Sequence, residues 1–262
     1  MSLFETLNGR VSGHGTVPVM LAHGFGSDQS SFDAIRPWLD ARFRTVSFDL
    51  AGAGPSGAAA YDPRRHGGLL GYADDLLAVL EELDCGPVIY VGHSVGAMIG
   101  AAAAVARPEA FSRLVMIGAS ARYRNDSDYR GGFEQAELDG LFAAMAGNFQ
   151  AWGAGFAPGI VGVADAPAIH EFSRTLFLMR PDIALAMART IFQSDMRAIA
   201  AQVTVPTHIV QAKRDAAVPL EAALWLHDAI AGSTFAVIDA EGHLPHVTGP
   251  AAVIAELAAA IG

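Results

Sequence analysis

The sequence predicts an α/β fold: a mostly parallel sheet flanked by helices, with an all-helical insertion in the second half of the chain. Three observations predict it. Short apolar runs alternate with amphipathic segments through the first half, the pattern of strands joined by crossover helices. The alternation stops near Ala119 and resumes at Val205, with only helix-like segments between Arg122 and Met196. The chain has 262 residues, 52% of them hydrophobic and 17% charged, enough apolar material for one large α/β domain without covalent staples.

The elements justify themselves in order. Val17-Pro18-Val19-Met20-Leu21-Ala22 is a buried strand that ends in the turn-rich His23-Gly24-Phe25-Gly26. Asp28 to Ala41 has helical spacing, with Phe32, Ile35, Trp38 and Leu39 on one side. Arg44 to Phe48 reads as a strand that stops at Asp49. Tyr72 to Leu83 is amphipathic, setting Leu76, Leu77, Val79, Leu80 and Leu83 against Asp74, Asp75, Glu81 and Glu82. Pro87 to Val91 is a strand, and a helix follows it to Ala106. Leu114 to Ile117 is the next strand. Phe133–Phe149, Ala166–Phe177 and Pro181–Phe192 are helical segments of the insertion. The core then returns with a strand at Val205–Gln211, a helix at Leu220–Ile230, a strand at Thr234–Ile238 and a closing helix at Pro250–Ile261.

Charge and composition exclude several function classes. The net charge is −10 and Lys213 is the single lysine, so there is no basic stripe for nucleic acid. The longest apolar run, Val95 to Ala106, is too short for a bilayer span, and the first residues lack the pattern of a signal peptide. Cys85 is the only cysteine, so neither an internal disulfide nor a cysteine-based zinc site can form. A lone thiol suits a reducing cytoplasm.

The strongest chemical signal is Gly92-His93-Ser94-Val95-Gly96, a G-x-S-x-G between a strand and a helix. A serine there sits on a strained turn that lifts its hydroxyl above the sheet, and glycines on either side let strand and helix approach. The helix N-terminus behind it favours developing negative charge. Such a serine needs a base, and the base needs an acid to orient it, in the chain order Ser, acid, His. His243 fits as the base, on the loop Glu241-Gly242-His243-Leu244-Pro245-His246. His246 competes, but only His243 follows a glycine directly beyond the strand. Asp215 fits as the acid, in Lys213-Arg214-Asp215-Ala216-Ala217-Val218-Pro219, and Asp239 is the competitor. Two backbone amides should bind an oxyanion: Val95, just after the nucleophile, and Phe25, in the loop after the first core strand.

Other motifs carry less. Gly52-Ala53-Gly54-Pro55-Ser56-Gly57 satisfies the dinucleotide fingerprint, but Pro55 and the following residues predict a loop rather than an opening helix. His66, His170, His208 and His227 show no ligand spacing, and His243-x-x-His246 spans a proline in a loop, so no metal is expected.

Informative sequence extends well beyond Gly92–Gly96. The sequence around Ser94 through Gly100, Arg122-Tyr123-Arg124-Asn125-Asp126, Asp128 to Glu134, Phe172 to Phe177, Met179 to Ile183 and Gly242 to His246 resembles one group within the α/β-hydrolases. That group comprises the karrikin-receptor and strigolactone-receptor hydrolases of plants and the RsbQ-type stress-signalling hydrolase of bacteria. The resemblance implies a core of residues 1–120 and 197–262 and a four-helix lid, 121–196, inserted after the sixth strand. It implies a Ser94–His243–Asp215 triad working without a cofactor. It also implies a small apolar pocket walled by Phe25, Tyr123, Phe133, Leu141, Trp152, Phe156, Phe172, Ile191 and Phe192. Two departures stand out: Ala121 replaces a proline usual in the plant receptors, and Gly153, Gly155, Gly159 and Gly162 thin the middle of the lid. The expected activity is hydrolysis of small apolar esters or lactones. The alternative is a ligand-sensing hydrolase with slow turnover and a signalling protein partner at the lid. A dehalogenase is disfavoured, because it wants a carboxylate where Ser94 stands.

Overall fold

The computed structural model describes all residues, Met1–Gly262. Its strands are β1 (Arg10–Ser12), β2 (Pro18–Ala22), β3 (Arg44–Ser47), β4 (Val88–His93), β5 (Phe111–Ile117), β6 (Thr207–Arg214) and β7 (Thr234–Glu241). They form one seven-stranded sheet in the order β1-β3-β2-β4-β5-β6-β7. Only β1 is antiparallel to its neighbour. The core helices are α1 (Leu3–Thr6), α2 (Arg36–Asp40), α3 (Gly57–Ala60), α4 (Leu69–Glu82) and α5 (Val95–Ala106) before the insertion. The insertion holds α6 (Gln135–Gly147), α7 (Phe149–Val161), α8 (Ala166–Leu178) and α9 (Pro181–Phe192). After it come α10 (Arg197–Ala200), α11 (Leu220–Ala229), α12 (Pro245–Thr248) and α13 (Pro250–Ile261).

The alternating side chains of the strands build two cores. Val19, Leu21, Ile89, Val91, Val115, Ile117 and Val210 pack with Phe32, Leu39, Val253 and Leu257, beneath α2 and α13. Met20, Val88, Tyr90, Leu114, Met116 and Ile209 face the other way into a larger cluster shared with α4, α5, α11 and the insertion. Both faces of the parallel sheet are therefore covered, which explains why its strands read as continuous apolar runs.

The insertion follows the fifth strand, not the sixth. The sheet has seven strands because the N-terminal antiparallel part is a single short edge strand, β1. Its two stems close on each other: Met196 N–H donates to the Ala121 carbonyl at 2.8 Å, and the Arg122 guanidinium holds Asp126 at 2.7 Å and Asp195 at 2.8 Å. The expected long helix at Asp28–Ala41 is two short pieces, a 3-10 turn at Gln29–Phe32 and α2, whose first turn carries Pro37. The Gly52–Gly57 segment opens only the four-residue α3, and no long helix follows its glycines.

Strand order also locates the site. β2 has β3 on one side and β4 on the other, so the chain changes direction of travel between β2 and β4. The loops leaving their carboxyl ends then part and leave a crevice, the usual place for a ligand in such sheets.

Candidate active site

Ser94 caps α5 at φ 55°, ψ −125°, in the left-handed half of the map where a serine is strained. Its neighbours explain why the strain holds. Its own N–H donates to the Ile117 carbonyl at 2.8 Å. A Cβ at Gly96 would lie 2.5 Å from the Ala22 carbonyl oxygen, and one at Gly92 would lie 2.5 Å from the Ala97 Cα. The glycine spacing of the motif is thus the spacing that lets β4, α5 and β2 meet.

The predicted acid and base converge on this serine. His243 Nε2 lies 2.8 Å from Ser94 Oγ, and His243 Nδ1 lies 2.8 and 3.0 Å from the two Asp215 oxygens. Asp215 can only accept, so Nδ1 carries the proton and the Nε2 lone pair faces the Ser94 hydroxyl. Asp215 is itself held by the Ala217 and Val218 amides, at 2.8 and 3.1 Å, and by the Gln211 amide at 3.4 Å. The competitors fall away on geometry. Asp239 lies on β7 with an almost fully exposed side chain near Lys213. His246 is wholly buried, and neither of its ring nitrogens has a partner.

Phe25 lies in the loop after β2, and its N–H donates to no other group of the chain. Val95 is the first residue of α5, where an amide has no acceptor within its own helix. His23 sets the loop: Leu50 N–H donates to its Nε2 at 2.9 Å, so Nδ1–H donates to the Gly24 carbonyl at 2.8 Å.

The apolar residues named from the sequence separate into groups. Phe192 is the hub of the first, meeting Phe25, Tyr123 and Phe133 edge to face with ring centres 6.2, 5.0 and 5.9 Å away. Trp152, Phe156 and Phe172 form a second row along α7 and α8. Phe172 and Thr175 rest on the loop after β2, and the Thr175 hydroxyl donates to the Gly26 carbonyl at 2.7 Å. Leu141 on α6 is half-buried and Ile191 on α9 is buried, both within the shared core. An open cleft of about 770 Å³ runs beside Asp215 between α7 and the loop after β6, but neither Ser94 nor His243 lines it.

Three features of the site have no signal in the sequence. The Tyr123 hydroxyl is 3.2 Å from Ser94 Oγ, and burial pushes that phenol's ionisation well up, so it stays a neutral donor. The His243 N–H donates to the Ile160 carbonyl at the end of α7, at 2.9 Å. His93 Nε2 lies 2.7 Å from the His243 carbonyl oxygen. The sequence points to Tyr123 for its ring rather than its hydroxyl, and to neither backbone bond of His243.

Comparison with known proteins agrees with this architecture. The sequence model described as alpha/beta hydrolase fold matches residues 17–250. A rice protein (Oryza sativa subsp. japonica) named as a probable esterase is 52% identical over 95% of this chain and 93% of its own length. "Karrikin insensitive 2 receptor CA" of Petunia hybrida is 49% identical over 95% and 93%, and a strigolactone esterase of Arabidopsis thaliana 46% over 95% and 94%. Among solved structures, a hydrolase from Oleispira antarctica superimposes with a TM-score of 0.95 at 31% identity, covering 98% of this chain and 95% of that one. The chain belongs to the alpha/beta hydrolase fold family, and within it to the group that holds the strigolactone esterases and the karrikin receptors.

Proposed function

We propose that the protein is a serine hydrolase of small apolar carboxylic esters or lactones, acting through an acyl-enzyme on Ser94. The observation that carries this reading is the unbroken relay of hydrogen bonds from Ser94 Oγ through His243 to Asp215. The Ser94 hydroxyl gives its proton to His243 Nε2 as Oγ attacks the carbonyl carbon. Asp215 keeps the imidazole in the required tautomer and stabilises the imidazolium. The Phe25 and Val95 amides receive the oxyanion, contributing on the order of 3 kcal/mol each to lowering the barrier. The imidazolium then protonates the departing alcohol oxygen, and water repeats the sequence to release the acid. Side chains, amides and one water supply every proton and charge in this scheme.

Residues 121–196 serve as a lid over the core of 1–120 and 197–262. The named aromatic residues on it, with Phe25, form the substrate wall. The rice and Arabidopsis relatives are named as esterases, which supports the reaction class. The petunia relative is named as a receptor, which supports the second reading: a ligand sensor with slow turnover whose lid meets a signalling partner. No helix is long and apolar enough to cross a membrane. The single buried thiol, Cys85, suits action in the cytoplasm.

Labelling with a serine-reactive phosphonate should modify Ser94 alone. A panel of p-nitrophenyl esters and butenolide lactones then separates the readings: steady turnover marks an esterase, while a burst followed by slow release and ligand-dependent partner capture marks a sensor. Modification of another serine would overturn both.

A further inference from the structure

We infer that His93, the residue before the nucleophile, is a positioning residue that fixes the base loop through a hydrogen bond to the His243 carbonyl. The inference rests on the function proposed above and on geometry that spans 150 positions of sequence. A carbonyl oxygen can only accept, so His93 Nε2 must carry a proton at the observed 2.7 Å. His93 is 2% exposed, and burial, with His246 and His243 beside it, holds it neutral. Its Nδ1 is then a bare lone pair, and Nδ1 has no partner in the chain. The ring spends its one N–H on His243.

That bond completes a clamp. The His243 N–H goes to the Ile160 carbonyl of α7 and its carbonyl is taken by His93. Its Nδ1 goes to Asp215 and its Nε2 to Ser94. Every polar group of the base is thus placed by a different element. His93 also packs on the loop that carries Phe25, for a Cβ at Gly24 would lie 2.7 Å from His93 Nδ1. One side chain at the end of β4 therefore touches the base loop and the oxyanion loop while its backbone carries on into Ser94.

His246 is the internal control. It is as buried as His93 and lies against it, with ring centres 4.4 Å apart, yet it makes no hydrogen bond. If packing alone mattered, the two histidines would be equivalent. If the hydrogen bond matters, only His93 would affect the base.

Glutamine places an amide donor where His93 Nε2 stands, and asparagine places one where Nδ1 stands. With p-nitrophenyl acetate, His93→Asn should lower kcat roughly tenfold to a hundredfold with little change in KM, the scale expected for a small misplacement of a catalytic group. It should also shift or broaden the far-downfield proton signal of His243 Nδ1–H. His93→Gln should restore both kcat and signal to near wild type, and His246→Leu should change neither. Wild-type kcat in His93→Asn, equal kcat in the Asn and Gln variants, or an equal loss in His246→Leu would overturn the inference. Should His93→Asn not fold, ¹⁵N spectra of the wild type decide: a neutral His93 protonated at Nε2 supports the assignment, and protonation at Nδ1 overturns it. Those spectra need no substrate. Turnover that survives Ser94→Ala would instead remove the function reading and leave the hydrogen bond standing.

Discussion

Tyr123 and Ser94 share a hydrogen bond, with 3.2 Å between the phenol and the serine oxygen. Ser94 has one proton and His243 Nε2 receives it, so Tyr123 must be the donor. The phenol thus occupies a lone pair of the proposed nucleophile at rest. Tyr123→Phe removes the donor without leaving an orphaned partner, since Ser94 keeps His243. We expect a stability change of about 1 kcal/mol and kcat/KM within about tenfold of wild type, with phosphonate labelling intact. Loss of labelling in this variant would mean that Tyr123 belongs to the relay itself.

The relay sets a pattern of non-additive losses. Ser94→Ala and His243→Ala should each abolish ester turnover to a similar degree, because the groups act as a unit. Asp215→Asn should cost less, since its backbone contacts to Ala217 and Val218 survive while the tautomer of His243 is no longer enforced. His246→Ala should leave the relay intact. A mild His243→Ala beside a crippled His246→Ala would reverse the assignment of the base.

Buried neutral histidines make stability depend on pH. Burial, with His243 nearby, pushes His246 down from its ordinary 6.5 to about 3. The folded protein therefore binds fewer protons than the unfolded chain between these values, and stability rises with pH across that window. The contribution is complete above the unfolded value of 6.5 and is lost as pH falls below it. His93 is lowered in the same direction. His246 alone should withdraw about 2–3 kcal/mol between pH 6.5 and 4.5. Urea unfolding of wild type and His246→Leu at both pH values measures it, and identical slopes in the two proteins would contradict the argument.

Much of this was legible in the sequence, and particular residues show where legibility ended. The closing helix, Pro250–Ile261, is legible to the residue because a proline opens it and its apolar face is periodic. That Ser94, Asp215 and His243 would meet is legible because the proposed chemistry dictates residue type, chain order and strand-end position. The helix α7 is not legible in its pattern, for Gly153, Gly155, Gly159 and Pro158 lower its helix propensity. Its caps could have shown it: Asn148 accepts from Ala151 N–H, and Gly162 ends it in the left-handed conformation. The edge strand β1 is not legible because two exposed residues and one half-buried one make no apolar run. The bond from His93 to His243 joins residues far apart in sequence, and no local pattern encodes it.

The stems of the insertion should be its weak point. Arg122 is 6% exposed and bridges Asp126 on one stem to Asp195 on the other. Arg197 contacts the same two carboxylates, so Arg122→Ala would not strand them. We expect a loss of about 1–3 kcal/mol. Amide exchange should quicken in α6 to α9 more than in the sheet. Uniform quickening would mean that insertion and core open as one unit.

Aromatic bulk should set the length of the acyl chain. Phe133 and Trp152 are only half-buried, although both sit among large rings. An aromatic face left partly open inside a cluster is what a wall needs in order to meet a ligand. Phe133 reaches the Phe192 hub beside Tyr123, whereas Trp152 stacks at 4.7 Å on Phe156, which leads to Phe172 and the loop after β2. Truncating either ring leaves Ser94, His243 and Asp215 untouched but removes bulk from the proposed substrate wall. Acetate and butyrate esters should therefore be good substrates of the wild type, and acyl chains of about ten carbons or more should be poor ones. Trp152→Ala and Phe133→Ala should extend cleavage to longer chains while phosphonate labelling of Ser94 stays at the wild-type rate. Each should cost about 3–5 kcal/mol at most, less where the half-exposed ring leaves no closed void. Ready hydrolysis of long-chain esters by the wild type would show that the insertion opens wide during turnover, and the small-pocket reading would then fall while the triad assignment stood.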